Sequence, residues 1–122
     1  MYKTKFYLLI GFLVVLILVP QSVFSAKLKN AVGKVSFLRV HALKTGYGPP
    51  TNYLDGEVVI KLKSKPNMAF GFQLRDDAQR PVRRAMFDLI RDAFKNDWTI
   101  HIDYWIDTGK TTGIIHRIVI TK

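Results

Sequence analysis

The chain has 122 residues and no cysteine, which excludes a disulfide framework and any thiolate metal site. Nineteen Lys and Arg stand against nine Asp and Glu, a net charge of +10 that points toward anionic partners such as phosphate backbones, an anionic cell surface or acidic glycans. Glu57 is the only glutamate, so a paired-glutamate glycosidase is excluded as well.

The first 25 residues have the parts of a secretory signal in the expected order. Lys3 and Lys5 form a positive n-region, Phe6 to Val19 is an apolar run, and Pro20-Gln21-Ser22 opens a polar stretch. Val23 and Ser25 fit the small-residue rule before a cleavage site, which places the cut after Ser25. An uncleaved anchor is the alternative, but a spanning helix needs roughly 20 apolar residues. This run has 14 and ends at a proline, so no stable membrane span is expected after cleavage. Losing Lys3 and Lys5 takes the bases from 19 to 17 against nine acids, a net charge near +8. Residues 26–122 are therefore expected to form one secreted or periplasmic domain, and the absence of any Asn-x-Ser/Thr sequon fits a bacterial product.

In the mature segment, Gly33 to Leu43 reads as a first strand, with Val35, Phe37 and Arg39 on one face and Leu38 and Val40 on the other. Lys44 to Gly56 is dense in Gly and Pro and reads as a loop without regular structure. Glu57 to Ser64 alternates, with Val58, Ile60 and Leu62 facing in and Val59, Lys61 and Lys63 facing out. Pro66-Asn67 is expected to turn the chain into a third strand, Met68 to Leu74. From Pro81 the period changes: Val82, Met86, Leu89, Ile90, Ala93 and Phe94 trace one stripe of a helix that Asn96-Asp97 stops. Asp76 and Asp77 lie upstream, where negative charge suits the helix dipole. Arg83, Arg84, Asp88, Arg91, Asp92 and Lys95 fall on the opposite, solvated face. Trp98 to Ile106 alternates again, a Gly-containing turn covers Asp107 to Gly113, and Ile114 to Thr121 is the last strand.

The order β-β-β-α-β-β is that of the OB-fold. The expected fold is therefore mainly β, a five-stranded OB-fold-like barrel with one helix between strands 3 and 4, preceded by a signal peptide. The helix would plug one end of the barrel, and closure would remove sheet edges.

Motifs for catalysis are sparse, and no cofactor is expected. Asp107-Thr-Gly109-Lys110-Thr111 lacks the first glycine of a phosphate loop and precedes a strand, so it reads as a hairpin turn. His41, His101 and His116 are isolated, without the spaced partners of a zinc site. His101 and Asp103 share a strand face and could form half of a metal or acid–base site; Ser36 could complete a triad, but no nucleophile-elbow glycines surround it. Binding features are stronger. The outer face of the fourth strand carries Thr99, His101, Asp103 and Trp105, and the long first loop carries Tyr47, Asn52 and Tyr53. Aromatics among polar groups can stack on a sugar ring or a base. Lys61, Lys63, Lys65, Arg75, Arg80, Arg83 and Arg84 form a candidate basic patch that suits single strands in an OB groove, although export argues against a nucleic-acid ligand.

With Val35–Leu43, Val58–Leu74, the helix Pro81–Lys95 and the strands Trp98–Ile106 and Ile114–Thr121, the mature chain resembles the binding subunits of AB5 toxins. The subtilase-type cytotoxin subunits are the nearest in kind: small exported OB-folds that form pentameric rings and bind cell-surface glycans. Those subunits usually contain a disulfide, from which this chain departs. The resemblance implies a homopentamer whose helices line a pore, with Arg83, Arg84, Arg91 and Lys95 at its wall and Asp88 and Asp92 between them. The leading expectation is a non-enzymatic exported module recognising a cell-surface glycan. The alternative is a periplasmic binder of single-stranded nucleic acid or another anionic polymer.

Overall fold

The computed structural model describes residues 27–122, and the export signal read from residues 1–25 lies outside the described residues. The elements are β1 (Lys29–Val40), a single 3-10 turn (Pro50–Asn52), β2 (Val58–Leu62), β3 (Lys65–Phe72), α1 (Arg80–Asn96), β4 (Thr99–Ile106) and β5 (Gly113–Thr121). The strands close into a barrel in the order β1-β2-β3-β5-β4, so the chain is a mainly β five-stranded barrel with its helix between the third and fourth strands.

Closure depends on β1 serving two neighbours. Its first half pairs with β4, from Lys29↔Tyr104 to Lys34↔Thr99, and its second half pairs with β2, from Val35↔Leu62 to Val40↔Val58. A register shift between Val35 and Phe37 marks the exchange. A bulge adds one residue and reverses the in–out parity beyond it. Val35 and Leu38 therefore both serve the core while Phe37 packs outside, so the expected single face for Val35, Phe37 and Arg39 is corrected.

Two further expectations change for local reasons. Pro66 and Asn67 lie within β3 and not at the turn, which falls at Lys63-Ser64. Val59, expected to face solvent, is 0% exposed because the β1–β2 loop folds back over it. That loop also contains the 3-10 turn and a bridge between Tyr47 and Leu54, so it is not devoid of regular structure.

The main core joins Ile60, Leu62, Phe70, Phe72, Ile100, Ile102, Tyr104, Ile115 and Ile118 to Met86, Ile90 and Ala93 of the helix. Phe70 meets Tyr104 edge-on at 4.8 Å between ring centroids. Each fully buried side chain of this size is worth about 1.5–3 kcal/mol, which is how a cysteine-free domain holds together. The helix stripe is narrower than its sequence suggests. The barrel end covers only its middle turns, leaving Val82 58% and Phe94 47% exposed. Asp97 ends the helix in the left-handed region, at φ 55°, with its N–H donating to the Ala93 carbonyl. Among the described residues no helix is long and apolar enough to cross a membrane.

Candidate ligand-binding surfaces

The outer face of β1–β2–β3 is built around the long first loop. Tyr47 and Leu54 exchange backbone hydrogen bonds of 3.0 and 2.8 Å, which pinch the loop into a flap. Leu54 then packs on Val59 and Ala69, with Phe37, Tyr47 and Ile114 around them. Gly71 allows this approach: a Cβ there would stand 2.3 Å from the Val58 carbonyl oxygen and 2.9 Å from a Leu54 methyl. Phe37 and Tyr47 lie 6.1 Å apart between centroids. Lys61 Nζ sits 5.6 Å over the Phe37 ring and 5.8 Å over Tyr47, and the Arg39 guanidinium is 5.8 Å from the Tyr47 ring. Neither cation has a carboxylate partner among the described residues.

The loop between β4 and β5 is tied to the first loop across this face. Asn52 Nδ2 donates to Thr111 Oγ1 at 2.7 Å while the Thr111 N–H donates to Asn52 Oδ1 at 2.8 Å. Lys110 Nζ donates to the Tyr53 carbonyl at 2.7 Å. A small cleft of about 110 Å³ opens between them, walled by Tyr47, Asn52, Lys61, Asn67 and Thr111. Tyr53 does not face this cleft. Its ring lies on Gly46, where a Cβ would meet it at 1.9 Å, so it anchors the loop.

The remaining predicted residues lie elsewhere. Thr99, His101 and Asp103 are on the outer side of the β1–β4–β5 wall, where Asn30, His101, Asp103, Arg117, Val119 and Thr121 line a depression of about 350 Å³. Asn30 Nδ2 donates to Asp103 Oδ1 at 3.0 Å, and Arg117 engages the other oxygen. Those two bonds, the Asn30 one first, hold the Asp103 carboxyl below its ordinary value. His101 Nε2 is 3.5 Å from Thr121 Oγ1, and Ser36 donates to the Lys61 carbonyl. None of these bonds joins Ser36, His101 and Asp103, so the sequence-level trio does not assemble. Trp105 keeps the parity of Thr99, His101 and Asp103 on β4 but stands beyond the Asp103–Tyr104 step, opposite which β5 carries one extra residue, His116. The Trp105 ring lies 5.6 Å from His116 and walls another cleft of about 260 Å³, with Asp55, Gln73, Arg83 and Asp107.

The seven basic residues likewise divide. Lys61 belongs to the aromatic face, and Lys65 borders it beside Asn67 and Thr111. Lys63 is 3.9 Å from Asp97, Arg80 pairs with Asp76 at 3.2 Å, and Arg83 pairs with Asp77 at 3.1 Å. Arg75 is held between Asp55 and Glu57, and its pKa is raised chiefly by the Asp55 hydrogen bond. Arg84 lines a separate cleft near the helix start. Every acid except Asp107 is thus in an ion pair. Phe37 and Arg39 were not legible as surface partners of Lys61. The available sign was the crowding of Val35, Phe37 and Leu38, apolar on both parities, which is what a bulge produces.

Among the described residues no group of three or more His, Asp or Glu is placed to hold a metal ion. No known protein family, curated protein or solved structure matches this chain.

Proposed function

We propose that the protein is an exported, non-enzymatic binding module that takes an acidic glycan chain along the β1–β2–β3 face. The observation that carries this reading is the placement of Arg39 and Lys61, unpaired, over the rings of Phe37 and Tyr47. A cation over an exposed ring gains about 0.5–1 kcal/mol, enough to orient the head group without neutralising it. The rings and the Asn52–Thr111 staple would position the chain, and Lys65 extends the positive track. This is the face that OB-folds use, between the first and last inter-strand loops. The same features support single-stranded nucleic acid as the second reading, through phosphate contacts and base stacking. The N-terminal signal pattern favours the glycan.

Titration with a sulfated oligosaccharide and with a single-stranded oligonucleotide of equal charge, over a range of salt, tests the proposal. Three cation contacts predict a slope of log K against log salt of about −2 for the oligonucleotide, a comparably steep fall for the glycan, and loss of most affinity in R39A/K61A. Tighter glycan binding supports the first reading, and tighter oligonucleotide binding the second. Binding that ignores salt and the double substitution removes both. Light scattering addresses the pentameric ring implied by the toxin-subunit resemblance, since a strict monomer excludes it and leaves the binding face intact.

A further inference from the structure

Trp105 is the last residue of the outer row of β4 and pairs with Ile114 of β5. Directly opposed residues in an antiparallel pair project to the same side, so the Ile114 side chain lies beside the indole. The other tryptophan, Trp98, has the Lys122 ammonium 5.0 Å over its ring, and Lys61 and Arg39 cover Phe37 and Tyr47. Trp105 has no such cation among the described residues. Its aromatic neighbour His116 is tilted by 58° and is not part of the cleft that the indole walls. The indole is half-buried and open on the side of that cleft.

Four elements meet around it: Asp55 comes from the first loop, Gln73 follows β3, Arg83 belongs to α1 and Asp107 follows β4. Drug-sized ligands occupy pockets of about 300–1,000 Å³, so a cleft of about 260 Å³ suits a single ring. Its polar rim is only partly engaged. Asp107 is exposed, and its carboxylate makes no ion pair among the described residues. Gln73 Nε2 donates to Asp55 Oδ2 at 3.3 Å, which leaves it a second N–H and a side-chain carbonyl. Asp55 is held by Arg75, and Arg83 by Asp77 at 3.1 Å. Two carboxylates in the wall stand against one guanidinium that already has a partner, so the cleft disfavours an anion, unlike the β1–β2–β3 face. Arg83 and the positive charge of the whole chain disfavour a small cation. An uncharged ring with apolar C–H faces and peripheral hydroxyls matches the indole, the Ile114 side chain and the open hydrogen-bonding groups together.

We propose that this cleft is a second binding site, independent of the β1–β2–β3 face, for one uncharged pyranose unit. The ring stacks on Trp105, and its hydroxyls donate to the Asp107 carboxylate and the Gln73 side-chain carbonyl. The test is a nitrogen–proton correlation NMR titration of the full chain with methyl β-D-glucopyranoside, whose equatorial hydroxyls leave both ring faces apolar. The expected result is a saturable shift of the Trp105 indole N–H and of the Gln73 and Asp107 amides, while the Trp98 indole stays in place as the internal control. The corresponding methyl glucuronide, the same ring bearing a carboxylate, should bind several-fold more weakly beside Asp55 and Asp107. Asp107→Asn should weaken the glucoside roughly tenfold, as the loss of a hydrogen bond to a charged group does, and Trp105→Ala should abolish binding. Asp107 is exposed and unpaired, so its substitution keeps the test valid even where Trp105→Ala disturbs folding. The probe carries no charge, so it reads this cleft whether or not the β1–β2–β3 face takes an acidic glycan. No saturable shift at tens of millimolar glucoside, equal shifts at both indoles, or unchanged binding in Asp107→Asn would each overturn the site. A glucuronide that binds as tightly, or tetramethylammonium that binds more tightly than the sugar, would overturn the choice of an uncharged ligand and with it the proposal.

Discussion

Glu57 is a carboxylate in the barrel wall, and Arg75 is the group that makes its burial tolerable. Arg75 Nε donates to Glu57 Oε1 while its Nη atoms reach Asp55. Removing one partner of a buried pair strands the other charge, which costs far more than the pair was worth. Arg75→Met is therefore expected to lower the melting temperature by roughly 10 °C or more, and Glu57→Gln by clearly less; equal losses in thermal unfolding would show that the charge is not stranded. Asp97 and Asp103 behave differently because they are accessible. Both carboxyls lie below their ordinary value of 3.8, Asp97 chiefly through its hydrogen bond from Lys34 and Asp103 through those from Asn30 and Arg117. A lowered native pKa means that the unfolded chain binds more protons, so these pairs stabilise fully above about pH 4 and fade as pH falls below it. Melting temperature should drop below about pH 4, and the drop should be shallower in Asp97→Asn and in Asp103→Asn. None of these pairings was legible in the sequence, because their partners are far apart in the chain and are joined only by strand register.

The first loop is the element whose composition misleads most. Its glycines and prolines mark it as irregular, yet Leu54 is fully buried and helps to cover Val59 and Ala69. Leu54→Ala should therefore cost about 2–5 kcal/mol in urea unfolding, as a core truncation does. A solvated loop residue would cost within about 0.5 kcal/mol, and a value that small would mean the flap is not packed. The alternation of β2 and β4 and the stripe of α1 were legible because period survives any tertiary arrangement. Bulges were not, since one inserted residue changes parity without changing composition. Pro66 shows the same limit: β3 meets β5 only at Phe70 and Gly71, so a residue without an N–H sits at no cost along its unpaired stretch. The predicted site split for related reasons, with Tyr47 and Asn52 beside one face and Thr99, His101, Asp103 and Trp105 carried to other walls by barrel curvature and the His116 bulge.

At the scale of the molecule, element order was enough to indicate a closed barrel, but it does not indicate where the closure is weakest. The β4–β5 pairing runs through most of both strands and β1 meets β4 along its whole first half, whereas β3 and β5 share only Phe70↔Gly113 and Gly71↔Ile114, in parallel. Parallel pairing is slightly less stable per residue, and so short a seam has few bonds to break. The candidate glycan face lies beside this seam, with the Asn52–Thr111 staple crossing it from loop to loop. Opening of the seam should therefore be a local event, well below the cost of global unfolding. Native-state hydrogen exchange is expected to show amides of β1, β4 and the middle of α1 exchanging through global unfolding, and those of Phe70 to Gly71 and Gly113 to Ile114 exchanging sooner. Asn52→Ala removes both side-chain bonds to Thr111, so it should speed exchange at the seam while leaving the β1–β4 amides unchanged. Uniform protection around the barrel, or acceleration spread over all five strands, would mean instead that the seam and the rest of the barrel open as one unit.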